Sequence, residues 1–572
     1  MHPRIKYELR FAVTGHRRIS DEEAVARAIE VVIDRINRLI EGAGATQPCW
    51  TIVSPLARGA DQIAAKTLMW RVHARLEVLT PFPLADYRKD FSPDAELASF
   101  EELLTHAAIV EELPCRMHDA EIRGGGEGTQ LDEMRDAAYL RAGERVVEVS
   151  EILLAVWDGR EAAGVGGTAE IVEYAIERDR VVLWIDAEHP EAPPRRILAV
   201  NFRDYSLDKS AIVRTEEFPH TLSELSRGFS QQLAYFQDQR LVPADYETEE
   251  RRTREHLAEA AVKTGLPEEA LSGILSILVP QFARADSLAL LYHRKHARGV
   301  SGILYLAALA VTIAVAQVLF FPEQHWLIVF EVLAMLAILG LWMSAGSSGW
   351  HEKWLHARYI AEQLRIATFT TLLEPESRKE KNDPLPFYRG PQQWLMQTVK
   401  AIVSDAGKTV PVLPLGALKQ FLVQAWLEDQ QNFHARSAKR KEKSAHRRHQ
   451  IGFALFGTTL LMAVLHFAGV GHSAESGRAP YLNVGIWITF LALVLPAWAG
   501  AVHAVTSQLE LERIAERSHR MSVALEWLAH RATRATTLAE LAETVNETAE
   551  LMMMENHEWW VLLSFQGVRL HV

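Results

Sequence analysis

The stretch VSGILYLAALAVTIAVAQVLFF, residues 300–321, contains no charged residue and is long enough to cross a bilayer as a single helix. A helix rises about 1.5 Å per residue, so about 20 apolar residues cover the roughly 30 Å of hydrocarbon. Three similar runs follow at 326–346, 451–470 and 481–505. The alternative is that the four runs are buried core helices of a large soluble protein. Four such runs with polar flanks would be hard to bury inside the rest of the chain. We therefore predict four membrane spans.

The loops between these runs predict which side of the membrane each chain end occupies. The two short loops, FPEQH at 321–325 and GHSAESGRAP at 471–480, contain a single Lys or Arg residue, Arg478. The other flanks are rich in Lys and Arg: HRKHAR at 293–298, RSAKRKEKSAHRRH at 436–449, and Arg513, Arg517 and Arg520. Lys and Arg accumulate on the cytoplasmic side. We therefore expect both termini in the cytoplasm.

Two short motifs recur across the apolar half of the chain. His293-Arg294-Lys295-His296 precedes the first span, and His446-Arg447-Arg448-His449 precedes the third, 153 residues later. Ile360-Ala361-Glu362 follows the second span, and Ile514-Ala515-Glu516 follows the fourth, 154 residues later. The nearly equal offsets indicate a duplicated unit of two spans with cytoplasmic helices on both sides. The Pro- and Gly-containing segment 374–416 between the copies is predicted to be mainly a linker.

Composition narrows the possible functions. The 572 residues carry a net charge of −12, which argues against nucleic acid as a partner, because nucleic-acid binding requires a basic face. A small phosphorylated ligand stays possible, since backbone N–H groups can hold it. The two cysteines, Cys49 and Cys115, predict a reducing compartment without a disulfide framework. The N-terminal segment lacks a long apolar run, so we expect no cleaved signal peptide.

The first 190 residues alternate short apolar runs with helical patterns. The runs are ELRFAVTG at 8–15, WTIVS at 50–54, LEVLTPF at 76–82, ILLAVWDG at 152–159 and VVLWID at 181–186. Helical periodicity follows several of them, and the helix predicted at 21–42 begins at a suitable N-cap residue, Asp21. This alternation predicts a Rossmann-like α/β domain with a parallel, doubly wound sheet. The predicted fold class is thus an N-terminal α/β domain followed by an all-α transmembrane domain.

Three turns in this domain are candidate ligand-binding elements. Ligands of such sheets bind at the carboxyl ends of the strands, near the point where strand order reverses. Glycine lets backbone N–H groups approach an anion, and the dipole of a following helix favours negative charge. Arg17 and Arg58 would pair with phosphate. Ser54 and Thr168 would donate hydroxyl hydrogen bonds, and Asp61 would accept them from ribose. The candidates are Thr14, Gly15, His16 and Arg17; Ser54, Arg58, Gly59, Ala60 and Asp61; and Asp158, Gly159, Gly164, Val165, Gly166, Gly167 and Thr168.

Each turn also has an explanation without a ligand. A glycine-rich strand–helix connection is more often turn chemistry than a phosphate site. Asp61 would then be a partner of the helix dipole, His16 a solvated loop residue, and Arg58 a partner of a nearby carboxylate. Three such turns at equivalent ends of one sheet favour a nucleotide site.

The motifs FAVTGHR, SPLARGADQIAA and EVSEILLAVWDG…GVGGTAEIVEYA resemble the SLOG superfamily over about residues 8–190. This group contains the LOG phosphoribohydrolases, DprA-type proteins and nucleotide-sensing domains. The two-span unit resembles the SLATT group through its organisation. The resemblance implies a bacterial anti-phage defence effector in the inner membrane. It would bind a nucleotide-derived second messenger, for instance one made from NAD, and open a pore or disrupt the membrane as a homo-oligomer. No cofactor or metal is expected.

The same resemblance allows an enzymatic alternative. LOG enzymes carry Pro-Gly-Gly-x-Gly-Thr-x-x-Glu, and alignment on Gly167-Thr168 puts Ala163 in place of the Pro and Ile171 in place of the catalytic Glu. Glu170 is adjacent, but a shift of one residue rotates a helical side chain by about 100°. Binding is therefore expected rather than hydrolysis. A membrane-anchored phosphoribohydrolase or NAD-cleaving enzyme with Glu170 as catalyst stays open, as does a ligand-regulated channel or transporter outside immunity.

Few polar side chains occur inside the spans. Glu331 is the one acidic residue, and an intramembrane carboxylate is a functional candidate by default. It is also close to the outer loop, where it would reach the interface. Gln317 and His466 are the other principal candidates for lining a pore. The threonines Thr312, Thr458 and Thr459 more often bond their own helix backbone.

These features predict five regions. Residues 1–195 form the SLOG-like nucleotide-sensing domain, and 196–285 form a linker and helical coupling region. Residues 286–375 form the first two-span unit, 376–425 a linker, and 426–572 the second two-span unit with C-terminal cytoplasmic helices.

Overall fold

The structure is a computed structural model that describes residues 5–91, 94–114, 128–161, 166–201, 212–238, 243–373, 393–406, 413–471 and 483–564. The chain divides into two compact units. The first, here called the sheet unit, contains Met1–Asp238 and Lys381–Ala401. The second, here called the helical unit, contains Gln239–Glu380 and Ile402–Val572.

The sheet unit contains an eight-stranded sheet in the order β4-β3-β2-β1-β5-β6-β7-β8. Its strands are β1 Glu8–Gly15, β2 Cys49–Ser54, β3 Arg75–Thr80, β4 Ala107–Glu112, β5 Ile152–Trp157, β6 Val181–Asp186, β7 Arg195–Asn201 and β8 Ile212–Glu216. The strands from β4 to β6 in this order are parallel, and β7 and β8 join antiparallel at one edge. The predicted α/β fold with a mostly parallel sheet is confirmed.

Helices cover the sheet. Those of the sheet unit are α1 Glu22–Gly42, α2 Ala60–Val72, α3 Leu84–Tyr87, α4 Asp94–Thr105, α5 Gly128–Glu148, α6 Thr168–Glu177, α7 Leu222–Leu225 and α8 Arg227–Phe236. Every residue of β5 is buried, as expected for a parallel strand that is covered on both faces. Asp21 caps α1, since its carboxylate accepts from the N–H of Ala24 at 2.8 Å.

The helical unit continues the numbering. Its helices are α9 Pro243–Thr264, α10 Val279–Phe320, α11 Ile328–Ser348, α12 Trp350–Thr370, α13 Gln393–Ala406 (whose first nine residues belong to the sheet unit), α14 Leu415–Leu422, α15 Asp429–Phe467, α16 Val484–Gln508, α17 Leu511–Arg534 and α18 Leu538–Ser564. Helix α18 packs on both α12 and α17.

Four continuous helical stretches are long and apolar enough to cross a membrane: Glu268–Phe320, His325–Ser348, Leu415–Phe467 and Val484–Arg534. They contain most of each run predicted as a span. Phe321, residues 468–470 and Asn483 lie just outside the helical stretches, and residues 481–482 lie outside the described residues. The apolar helices pack in a row, α11–α10–α16–α15, in which each contacts the next. Many apolar side chains on the faces of this row are exposed, for example Leu333, Phe453 and Phe456.

The two halves of the helical unit share an order of elements. A π-helical turn precedes each long helix, Ile274–Leu278 before α10 and Val423–Glu428 before α15. A residue in the left-handed region ends each second apolar helix, Gly349 (φ +58°) before α12 and Glu510 (φ +44°) before α17. We call residues 268–370 the first repeat and residues 415–534 the second repeat.

The structure differs from the sequence expectation at the margins of the sheet unit. Strand β4 was not predicted, because its apolar part, residues 107–110, is only four residues long and its side chains are mostly exposed. The sheet continues past residue 195 into β7 and β8. Helix α13 lies in the segment predicted to be a linker. Its Trp394 is fully buried, and its Thr398 accepts from Gln232 of α8 at 2.9 Å. Such long-range packing leaves no local sequence signal.

Candidate functional site

The strand order of the sheet reverses between β1 and β5. From β1 the chain proceeds through β2, β3 and β4 on one side, and then returns to β5 on the other side. The connections that leave β1 and β5 therefore diverge, and they open a crevice at the carboxyl ends of these strands. We call this crevice the switch-point crevice. The three turns predicted from sequence follow β1, β2 and β5, which are neighbours in the sheet.

The first turn approaches its neighbours so closely that only glycine fits. A Cβ on Gly15 would lie 2.4 Å from the Cβ of Ala60 and 2.7 Å from the carbonyl oxygen of Val156. His16 binds both neighbours through its backbone, since its N–H donates to Val156 and its carbonyl accepts from Ala60, each at 3.1 Å. Thr14 is the preceding residue of β1. Gly15 thus allows the start of α2 to pack directly against β1.

The second turn is held by its own polar residues. Gly59 has φ +84°, and a Cβ there would lie 2.4 Å from the carbonyl oxygen of His16. The Ser54 hydroxyl donates to Asp61 at 3.0 Å and accepts from the Leu56 N–H at 2.9 Å. Asp61 is buried, and burial raises its pKa to about 7. Ser54 and Asp61 therefore satisfy each other inside the protein, and Asp61 also lies in the first turn of α2, as its ligand-free explanation as a helix-dipole partner expects.

Arg58, expected to bind phosphate, has a protein partner as well. Its guanidinium lies 2.5 Å from the Glu96 carboxylate, although half of the Arg58 side chain is exposed. This ion pair is the alternative that the sequence left open. It makes Arg58 a less available phosphate ligand than Arg17.

The third turn connects β5 to α6. His16 Nε2 lies 3.1 Å from both the backbone N and a carboxylate oxygen of Asp158, so these two predicted site residues meet across the crevice. Gly166 has φ +76°, and its N–H donates to the Glu170 carboxylate at 2.7 Å. Glu170, the residue considered for catalysis, thus stabilises the turn. Ala163, Gly164 and Val165 lie outside the described residues.

Two helices begin beside the switch-point crevice with glycine N-caps. Gly59 precedes α2 and Gly167 precedes α6, and neither helix start has a side-chain capping hydrogen bond. Thr168 is the first residue of α6 and is partly exposed. Each helix start carries partial positive charge from its free N–H groups. Since α2 and α6 follow strands on the two sides of β1, both charges favour an anion in the crevice.

The structure adds residues that sequence reasoning missed. Arg17 lies over the Tyr139 ring of α5, with its guanidinium carbon 5.0 Å from the ring centroid. Asp90 accepts hydrogen bonds from both Tyr139 and Arg135. Burial raises the pKa of Asp90, and Arg135 opposes that rise. No sequence signal near Arg17 points to these groups, because they lie more than seventy positions away along the chain.

Arg17 differs from the other cations of this region. Its side chain is exposed, and within the described part of the chain it forms no ion pair within 4.0 Å. Stacking on Tyr139 fixes the guanidinium without using its hydrogen-bond donors. Arg17 is therefore positioned to receive a phosphate or carboxylate.

The three candidates for lining a pore lie near the helix ends that border the two short loops. Gln317 is close to the end of α10, Glu331 is in the first turn of α11, and both are partly exposed. His466 is near the end of α15, with Nδ1 3.2 Å from the Thr489 hydroxyl of α16. The three predicted pore-lining candidates thus lie on three different helices.

The threonines have partners inside the protein. Thr458 and Thr459 donate to backbone carbonyls one turn earlier, as the alternative explanation expected. Thr312 also donates to its own helix, and its hydroxyl accepts from the Trp498 indole N–H at 3.0 Å. This bond joins α10 to α16 between the two repeats.

Fold and crevice together define a class: a Rossmann-like unit with an anion-favouring crevice, in one chain with four helices that could cross a membrane. In the described ranges, no group of three or more His, Cys, Asp or Glu side chains is placed to hold a metal ion. No known family model matches the chain, and no curated protein sequence matches it significantly.

Proposed function

We propose that the protein is a membrane effector that binds a nucleotide-derived second messenger in the switch-point crevice and then opens a pore or disrupts the membrane. The proposal rests on Arg17, which forms no ion pair within 4.0 Å among the described residues and acts on the Asp61 and Asp90 carboxylates only at longer range, and on two glycine-capped helix starts that follow β2 and β5. Such a combination favours a phosphate group.

The ligand class follows from this chemistry. Backbone N–H groups and one guanidinium suit a phosphorylated small molecule, because they supply positive charge at close range without bulk basicity. The resemblance of the three turns to the SLOG superfamily favours a nucleotide, and NAD-derived molecules are included. Under this proposal Asp61 and Ser54 hold the turn, while Arg17, Gly167 and Thr168 contact the ligand.

The apolar helices would carry out the effector step, which is pore opening or membrane disruption. A row of four helices encloses a pathway only when several chains close it, so the effector would act as a homo-oligomer. The resemblance of each repeat to the SLATT group supports a role in bacterial anti-phage defence. In this account the protein resides in the inner membrane with both termini in the cytoplasm, as the distribution of Lys and Arg favours.

Ligand binding is tested with the full chain in detergent. Isothermal titration with NAD, ADP-ribose and a cyclic dinucleotide should identify a binder. Arg17→Gln should weaken its binding roughly 10- to 100-fold, since a charge-assisted hydrogen bond contributes about 1.5–3 kcal/mol. Arg18→Gln is the matched control, because Arg18 is the exposed neighbour, and it should bind as the wild type does.

A second variant tests the glycine turn. Gly167→Asp places a carboxylate at the start of α6 and should abolish binding by repelling the phosphate. Gly42→Asp, at the far end of α1 where a Cβ meets no atom within 4 Å, adds the same charge as a control. Unchanged binding in Gly167→Asp would place the site elsewhere. Release of free base from NAD by the full chain would favour the enzymatic alternative instead.

A further inference from the structure

A groove opens in the second repeat where the apolar parts of α15 and α16 meet the start of α17. Its volume is about 670 Å³, within the range of about 300–1,000 Å³ found for small-molecule sites. It lies at the end of the span that borders the basic stretch 436–449. Its lining residues include Arg448, His449, Phe453, Phe456, Pro496 and His503.

The groove is amphipathic along the helix axes. Arg448 and His449 lie midway along α15, immediately before its apolar run, and Phe453 and Phe456 follow one and two turns farther along it. The lining residues on α16 likewise change from polar to apolar along this direction, from Thr506 to Pro496. A ligand that fits must therefore have a polar head and an apolar tail.

The charge at the polar end points to an anionic head. Arg448 Nη1 is buried and has no hydrogen-bond partner among the described residues. The stretch 436–449 around it contains seven Lys or Arg residues and a single carboxylate, Glu442. The groove's buried carboxylate, Glu510, is neutralised by Arg513 at 3.0 Å, and Glu512 is exposed. The Arg448 side chain as a whole is partly exposed, but a buried donor without a partner is costly, and a phosphate would accept a hydrogen bond from Nη1.

In the first repeat, a protein side chain fills the position that corresponds to this groove. The shared motif extends to a glycine, HRKHARG at 293–299 and HRRHQIG at 446–452. A Cβ on Gly299 would lie 3.3 Å from the Trp350 ring. A Cβ on the matching Gly452, or on Gly500 across the groove, would meet no atom within 4 Å. The Trp350 indole thus fills the space beside Gly299, whereas the space beside Gly452 is open.

We propose that this groove binds one anionic glycerophospholipid, with its phosphate at Arg448 and His449 and an acyl chain between Phe453, Phe456 and the Pro496–Gly500 face of α16. The neighbouring bilayer supplies such a lipid directly. Basic clusters at a membrane surface recognise anionic headgroups. The site requires insertion of the spans, but it does not depend on nucleotide sensing.

The test measures lipid retained by the full chain. The protein is reconstituted in vesicles of phosphatidylcholine and phosphatidylglycerol at four to one, extracted in mild detergent and analysed by native mass spectrometry. Wild type should retain phosphatidylglycerol in preference to phosphatidylcholine. Arg448→Gln should lower retention about fivefold, the factor for roughly 1 kcal/mol per basic side chain near a charged surface. Gly500→Leu should block the acyl chain and also lower retention.

Two controls make the result specific. Lys295→Gln removes the charge at the position of the first repeat that matches Arg448, and Gly340→Leu adds the same bulk to α11 where a Cβ meets no atom within 4 Å. Both should retain lipid as wild type does. The proposal is overturned if phosphatidylcholine is retained as well as phosphatidylglycerol, if no lipid is retained, or if Lys295→Gln lowers retention as much as Arg448→Gln.

Discussion

The two copies of the Ile-Ala-Glu motif occupy opposite environments. Glu362 of the first repeat is buried and accepts from Arg358 and Arg365, with Arg365 Nη1 at 3.0 Å. Burial opposes ionisation, but Arg358 and Arg365 outweigh it and hold the pKa of Glu362 below its usual value. Glu516 of the second repeat is largely exposed and pairs with Arg520 one turn later.

The difference follows from what covers each helix. Helix α12 packs on α10 and α18, and charged side chains from several helices surround Glu362: Asp286 of α10, His434 of α15, and Glu555 of α18. Glu516 lies on a face of α17 that is left to solvent. The two repeats share a chain path, while the packing partners determine whether the same motif lies in a buried ion network or on an exposed surface. The two repeats differ in the same way at Gly299, which packs against the Trp350 ring, and at the matching Gly452, where a Cβ would meet no atom within 4 Å.

The largest effect should come from the two matching glutamates. Glu362→Ala removes the closest carboxylate of Arg358 and Arg365 from a buried ion network and leaves Asp286, at 3.8 Å from each, as their remaining ion-pair partner, which should cost about 3–5 kcal/mol. Glu516→Ala removes an exposed pair and should cost less than about 1 kcal/mol. Thermal unfolding of the full chain in detergent checks both. Equal losses would mean that burial does not distinguish the two copies.

A pH dependence should come from the same cluster. Burial and then Glu362 raise the pKa of Glu555 to about 7. A carboxyl whose folded pKa is raised holds its proton better when folded, so its stabilising contribution is lost as pH rises from about 4.5 to about 7. The other charged groups that face it are Arg358, Arg365, Arg517 and His434.

Glu555→Gln should therefore gain in apparent Tm relative to the wild type between pH 5 and pH 8. Expressed as the free energy of unfolding, the stability of Glu555→Gln relative to the wild type should rise by roughly 1–3 kcal/mol across this range, since one pKa unit corresponds to about 1.4 kcal/mol. Burial lowers the pKa of His434, which faces Glu555, to about 4. Folded His434 is therefore neutral throughout this range, and its protonation in the unfolded state is the same in both proteins. A constant difference across this range would contradict the raised pKa of Glu555.

The smallest effect should come from the two left-handed residues that end the second span of each repeat. Glu510 adopts φ +44°, a conformation that costs a side-chain-bearing residue about 1 kcal/mol. Glu510→Gly should relieve this strain but lose the pair with Arg513, for a net change below about 1 kcal/mol. Gly349→Ala should destabilise by about 1 kcal/mol, although a Cβ there meets no atom within 4 Å. A stabilising Gly349→Ala would contradict this account.

Local pattern was sufficient for much of the fold. Continuous apolar runs predicted β1, β2, β3, β5 and β6. These runs were recognisable because strands that are covered on both faces are apolar throughout, without alternating polar residues. The four apolar helices were equally plain. Strand β4 was missed because it is exposed, and α13 because only tertiary packing on α8 explains its buried Trp394.

The candidate site was predictable in its backbone and less so in its side chains. Gly15, Gly59 and Gly166 had to be glycine for close approach or positive φ, and the structure brings all three turns to the same edge. Hydrogen-bond partners were not predictable, as the pairing of Arg58 with Glu96 shows. Tyr139 and its stack with Arg17 depend on contacts between distant segments.

Ligand-triggered leakage tests the central claim most directly. The full chain is reconstituted in dye-loaded vesicles, and the ligand identified by titration is added to wild type, Arg17→Gln and Arg18→Gln. We predict dye release from wild type and Arg18→Gln on ligand addition, and none from Arg17→Gln at the same concentration. Leakage that is independent of ligand, or equal in Arg17→Gln and wild type, would contradict control of the membrane helices by the switch-point crevice.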